Sequence, residues 1–140
     1  MKDEIMRETT QEKMEVIASE NFEIWNKSLQ NKDPKKMAEF YIENATFLPT
    51  LSEEFKKGQL GAEEYFKHFL EKNPVAEIIE KKVQTLSDDC YIYSGMYNFE
   101  VDSDNGRQVV EARFTYIWEK NDRGEWKIAH HHSSLKPSQG

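Results

Sequence analysis

The stretches CYIYSGMYNFEV (90–101), VVEARFTYIWE (109–119) and WKIAHHHSS (126–134) decide how this chain folds. Each alternates aromatic or aliphatic residues with polar ones, the period of a strand that buries one face. Asn105-Gly106 joins the first two, and both positions of a tight two-residue turn need positive φ, so the pair predicts a hairpin there. With Asp104 opposite Arg107, Tyr97 faces Phe114, Phe99 faces Ala112 and Tyr93 faces Trp118. Asn121-Asp122-Arg123-Gly124 reads as a four-residue connection with Gly124 left-handed. Pairing Lys120 with Glu125 then sets Ala129 against Tyr116 and His131 against Phe114. The strands predicted after Pro74 run over 76–86, 90–101, 108–119 and 126–134.

This register gives the sheet two unlike faces. One carries Tyr91, Tyr93, Gly95, Tyr97, Phe99, Ala112, Phe114, Tyr116, Trp118, His131 and Ser133; the other carries Met96, Asn98, Arg113, Thr115, Ile117, Ile128, His130 and His132. A slip of one residue in the last hairpin would exchange its histidines between faces. The aromatic face needs a cover, and the residues upstream of Pro74 supply it.

Met14, Ile17, Ala18, Phe22, Trp25 and Leu29 recur at helical spacing, and Thr9 with Glu12 fits a capping box at the start. Asp33-Pro34 stops that helix and caps a short second one carrying Met37, Ala38 and Tyr41. Ala45–Leu48 is a brief strand, residues 50–61 a loop, and Ala62, Tyr65, Phe66, Phe69 and Leu70 a third helix ended by Asn73-Pro74. The expected class is α+β, a cone of three N-terminal helices on a curved antiparallel sheet. Residues 1–10 read as an N-terminal extension with a frayed start, 11–137 as one domain and 138–140 as a tail.

Composition narrows the function. The 140 residues suffice for one domain, and 8 Phe, 6 Tyr and 3 Trp argue against wholesale disorder. The longest apolar run is Cys90–Tyr93, far short of the roughly 20 residues a spanning helix needs. There is no leader pattern at Met1-Lys2-Asp3-Glu4, and the single cysteine forms no internal disulfide, so a cytoplasmic location is expected. A net charge of −7, with Lys56-Lys57 and Lys81-Lys82 beside glutamates, argues against nucleic acid as a partner.

The helix–meander order resembles the NTF2-like fold, shared with SnoaL-like and ketosteroid-isomerase-like proteins. ATFLP (45–49), Tyr65-Phe66 with Phe69, GMYNF (95–99), ARFTYIW (112–118) and WKIAHHHSS (126–134) with Pro137 resemble more specifically the association (hub) domain of calcium/calmodulin-dependent protein kinase II and its stand-alone bacterial SgcJ/EcaC-type relatives. That similarity spans about residues 12–137. It implies an interior pocket at the wide end of the cone and self-association through the sheet, as a homodimer or a larger ring. The arginines of hub pockets would fall near Gly95, Tyr116 and Ser133, so a carboxylate ligand held by buried arginines is not implied here. No kinase sequence precedes the domain, and an assembly role is expected without one.

His131 and Ser133, with Tyr97 and Tyr116, form a polar group in an aromatic pocket, together with Tyr93, Phe99 and Phe114 as lining. The plainer reading is that these polar groups only satisfy one another in the core. His130 and His132 share the other face, but no third ligand is evident, so neither a metal nor a cofactor is expected. Met96, Asn98, Arg113, Thr115, Ile117, His130 and His132 are the candidate oligomer interface, a mixed face whose polar groups can pair across a two-fold. Cys90 reads as a small hydrophobe.

Two functions follow. The first is a self-associating binding and assembly module with an interior small-molecule pocket of unknown ligand. The alternative is a SnoaL- or ketosteroid-isomerase-like enzyme, a cofactor-independent isomerase or cyclase acting on a small, partly apolar substrate. Its candidate catalytic residues are His131, Tyr97 and Tyr116, and the lack of an inward Asp or Glu on the last three strands weighs against it.

Overall fold

The alternating stretches become four long strands of a six-stranded sheet. The structure, a computed structural model, describes residues 2–138, with side chains from Thr10 onward. Its elements are α1 (Lys2–Ser28), α2 (Pro34–Ala38), β1 (Tyr41–Leu48), β2 (Lys56–Lys57), α3 (Gly58–Phe69), β3 (Val75–Ser87), β4 (Cys90–Ser103), β5 (Gly106–Lys120) and β6 (Trp126–Leu135). The sheet runs β2-β1-β6-β5-β4-β3. Strands β3 to β6 form an antiparallel meander, and β1 lies parallel to β6. Helices cover one face of this sheet, the α+β arrangement expected.

The apolar stripe of α1 lies on the aromatic face. Phe22 meets Tyr93, Tyr97, Phe114 and Tyr116 with ring centroids 6.1, 6.4, 6.4 and 6.2 Å away. Burying such rings is the main stabilising term, about 25 cal/mol for each Å² of apolar surface removed from water. Polar side chains of α1 then fix its position against edge strand β3. Asn26 donates from Nδ2 to the Ala76 carbonyl at 2.8 Å and accepts from the Ala76 N–H at 2.9 Å. Gln11 donates to the Val83 carbonyl and accepts from Thr85 Oγ1. The helix thus occupies backbone groups that an open edge would offer to another chain.

Several local expectations are corrected. Helix α1 runs from Lys2, so Thr9 lies inside it, and the side chain invoked for the capping box is outside the described residues. Asp33 does cap α2, accepting from the N–H groups of Lys35 and Lys36. Tyr41 opens β1 instead of extending that helix. The segment expected as a loop over 50–61 contains β2 and the first turn of α3.

The β4–β5 turn sits one residue earlier than expected, at Asp104-Asn105, with Ser103 opposite Gly106. Asn105 is not left-handed; only Gly106 is, at φ 99°. Ser103 Oγ accepts from the Asn105 N–H and donates to the Gly106 carbonyl, which fixes this turn. The partners become Tyr97–Ala112, Phe99–Val110 and Tyr93–Tyr116. This displacement keeps every residue on its expected face, because parity is unchanged.

The β5–β6 hairpin differs more. Lys120 pairs with Trp126, and Ala129 is an extra residue between the pairs Trp118–Ile128 and Ile117–His130. His131 therefore faces Tyr116, and Ser133 faces Phe114. Ile128, expected on the outer face, is fully buried inside. The bulge at Ala129 lets Ile128 and His131 point to the same side although three positions separate them. A second bulge at Ile79 bends β3.

Candidate functional site

A cavity of about 410 Å³ opens between α3, the segment following β1, and the ends of β4, β5 and β6. Trp25 of α1, Phe47 of β1, Tyr65, Phe66 and Phe69 of α3, and Phe99 of β4 supply its apolar wall. Pairing of Phe47 with Lys56 and Thr46 with Lys57 turns the chain after β1 back on itself. This turn holds Thr50 over the inner end, beside Ser133 of β6.

The inner end is a continuous hydrogen-bonded series. Tyr41 Oη lies 3.0 Å from His131 Nδ1, and Tyr97 Oη lies 3.2 Å from His131 Nε2. Tyr97 donates its hydroxyl to Ser133 Oγ at 2.6 Å. Ser133 Oγ in turn bonds Thr50 Oγ1. Tyr97 has one proton, so if it goes to Ser133 the Tyr97 oxygen must accept from Nε2–H, and Nδ1 must accept from Tyr41. The imidazole is the neutral Nε2–H tautomer in this assignment. Its ring is held between Phe47 and Tyr116, with centroids 4.7 and 3.9 Å away and planes 11° and 19° from parallel.

Electrostatics favour the same protonation state. Burial holds the His131 pKa well below the usual histidine value, and the neighbouring His130 and His132 add repulsion. Burial also raises the Tyr41, Tyr97 and Tyr116 hydroxyls well above the ordinary phenol range. All four groups are uncharged at neutral pH. The site can offer hydrogen bonds from hydroxyls, whereas the His131 lone pair a general base would use is already engaged by Tyr41.

The mouth is charged. Lys56 Nζ, on a side chain only 12% exposed, contacts Glu54 at 2.7 Å and Glu64 at 3.3 Å. The hydrogen bond to Glu54 raises the lysine pKa above its ordinary value, so the ammonium persists. Glu53, His68 and Lys72 also line this cavity.

Among the residues expected to line the pocket, Tyr97, Phe99, His131 and Ser133 do so. Tyr93, Phe114 and Tyr116 do not: they form the core behind that wall, where Tyr93 and Tyr116 are partners across β4 and β5. Tyr116 Oη and Trp25 Nε1 are buried without a hydrogen bond of regular geometry, although Tyr116 bears on the Tyr97 hydroxyl and Trp25 on that of Tyr41. Gly95 cannot accept a side chain, since a Cβ there would lie 1.9 Å from the Glu80 carbonyl oxygen. Among the described residues no arginine lines the cavity.

On the outer face Met96, Asn98, Thr115, Ile117 and His130 are half-buried, while Arg113 and His132 are exposed. His130 Nδ1 bonds Thr46 Oγ1 at 2.7 Å, and its ring centroid is 6.5 Å from that of His132. No group of three or more His, Cys, Asp or Glu among the described residues is arranged to hold a metal. No helix among them is long and apolar enough to cross a membrane.

Sequence reasoning missed Tyr41, Thr50 and Lys56. The alternation of Ala45 and Phe47 extends backward to Tyr41 only across a register shift between Tyr41 and Thr46, which hides it. Thr50 follows Pro49 in irregular backbone and carries no periodic signal at all. Lys56 resembles any surface lysine until its two glutamate partners are seen.

The comparisons agree with this architecture. The model of the calcium/calmodulin dependent protein kinase II association domain family matches residues 12–137. A Xanthomonas campestris structure assigned to the same kind of association domain is 37% identical, covers 86% of each chain and superposes with a TM-score of 0.83. An NTF2-like superfamily protein from Salmonella enterica shares 17% identity over 96% of each chain at a TM-score of 0.74. A Catenulispora acidiphila protein, solved in complex with S-DNPA, shares 10% identity over 89% of this chain and 95% of its own, at 0.76. The last two likenesses concern the fold alone. None of the curated proteins matches the sequence. The chain belongs to the calcium/calmodulin dependent protein kinase II association-domain family and has the NTF2-like fold.

Proposed function

We propose that this protein is a self-associating binding and assembly module whose interior cavity takes a small molecule. The family match over residues 12–137 carries the assembly half of this reading. The outer sheet face supports it physically. Helices cover only the aromatic side, and Met96, Asn98, Thr115 and Ile117 stand half-buried beside exposed Arg113 and His132. A mixed face of this type suits an isologous contact in which polar groups pair across a two-fold.

The ligand half rests on the hydroxyl series at the inner end of the aromatic cavity. A few convergent polar groups in an apolar recess are the usual composition of a small-molecule site. The isomerase-like alternative draws on the same His131 and Tyr97. Binding fits the geometry better, because the imidazole is neutral and both its nitrogens are occupied.

Light scattering after size exclusion, at low and high protein concentration, tests the assembly. A dimer or a larger ring is expected, and Arg113→Glu should shift it toward monomer by setting like charges across the contact. A wild-type protein that is monomeric at every concentration, or a variant as associated as wild type, overturns the interface.

A further inference from the structure

The protons in the hydroxyl series can be followed one by one. In the assignment above Tyr41 gives its proton to His131 Nδ1, His131 gives Nε2–H to Tyr97, and Tyr97 gives its own to Ser133. Ser133 and Thr50 hold two protons between them and spend one on their mutual hydrogen bond. One hydroxyl proton is left for whatever occupies the inner end. That end has no formal charge, because His131 is locked between two phenols. The wall around it is aromatic.

The mouth adds a second constraint. Glu53, Glu54 and Glu64 face two lysines, Lys56 and Lys72, and Lys56 is already engaged by two of those carboxylates. An entering anion meets a net negative rim and then an inner end with no cation. Burying a carboxylate without a partner costs far more than one hydroxyl bond returns. An amine is attracted at the rim but finds no acceptor charge inside.

We infer that the cavity selects an uncharged ligand, an aromatic or apolar body ending in one hydrogen-bond acceptor such as a carbonyl, which the Ser133–Thr50 hydroxyl pair receives. This rests on the cavity being a ligand site. The neutral His131 is a positioning residue in it, holding Tyr97 so that the spare proton is delivered at the far end.

Three probes with one skeleton test the inference on the full chain: phenylacetamide, phenylacetate and phenethylamine. Titrations followed by amide NMR shifts are expected to show the amide binding at least about tenfold more tightly than either ion, with shifts centred on Thr50 and Ser133. Thr50→Val, on a half-buried turn, should weaken the amide severalfold and leave the ions unaffected; Ser133→Ala provides the second variant. Glu54→Gln with Glu64→Gln should strengthen phenylacetate and leave phenylacetamide unchanged. Equal or tighter binding of either ion overturns the selectivity while the ligand site stands. Shifts from none of the three probes overturn the ligand site itself, and the inference with it.

Discussion

Replacing Tyr97 by Phe removes one oxygen from the middle of the hydroxyl series and almost nothing else. Tyr97 is 1% exposed, and its ring contacts with Phe114 and Phe99, at 4.6 and 4.7 Å between centroids, do not involve the hydroxyl. The oxygen hydrogen-bonds His131 Nε2 and Ser133 Oγ. Ser133 retains Thr50, so that loss costs about 1 kcal/mol. The imidazole fares worse. Whether it keeps the proton on Nε2 or moves it to Nδ1, Nε2 has lost its partner in a buried site, a cost of about 1–3 kcal/mol. The total is about 2–4 kcal/mol, against the smaller gain of no longer desolvating a phenol.

Tyr93→Phe is the internal control. Tyr93 is equally buried, but the structure shows no hydrogen bond at its hydroxyl among the described residues, and burial alone raises its pKa to about 12. Its loss should cost no more than about 0.5 kcal/mol. Urea unfolding at one fixed protein concentration measures both, because any self-association would shift the midpoint. The expected result is a clear fall in midpoint at unchanged slope for Tyr97→Phe and almost none for Tyr93→Phe. Equal effects of the two substitutions would refute the series as a stabilising unit.

The remaining predictions concern linkage and packing. His131 is neutral in the folded protein at a pH where the unfolded chain takes up a proton, near pH 6.5, so the unfolded state binds more protons just below that value. Stability should be constant above pH 7 and decline on acidification by up to about 1.4 kcal/mol per pH unit from this group, a slope that His131→Asn flattens in urea melts at several pH values. Asn26→Ala strips both hydrogen bonds from Ala76 of edge strand β3 and should cost about 1–3 kcal/mol, with faster amide exchange at Ala76 as the specific readout. Gly95→Ala should be severely destabilising in thermal melts, because its Cβ would overlap the Glu80 carbonyl oxygen.

How much of this was legible depends on how local each cause is. The inner and outer faces of β4 and β5 follow from period two alone, and the one-position displacement of their turn did no harm because it preserved parity. Asp33 and Pro34 announced the start of α2 through side-chain chemistry confined to four residues. The site was only half legible. His131, Ser133 and Tyr97 lie on regular strands, so their direction could be read from alternation. Tyr41, Thr50 and Lys56 reach the same place through a parallel pairing and a turn whose partners lie 70 or more residues away or carry no periodic mark. Tyr93, Phe114 and Tyr116 share the inner face with the cavity wall, and sequence parity cannot tell the open end of a cone from its filled end.

The bulge at Ala129 joins the two halves of the proposed function. β6 must place Ile128 in the core beside Trp118, His131 and Ser133 on the cavity side, and His130 and His132 on the outer face. No regular strand meets all three demands, since Ile128 and His131 differ in parity. The extra residue changes parity once, between the packed end of the sheet and its open end. Before Ala129 the strand serves the core; after it, alternate histidines face the cavity and the outer sheet. Both histidine classes are therefore fixed by a single irregularity, and consecutive residues can feel one another across the sheet: His130 and His132 help to hold His131 uncharged.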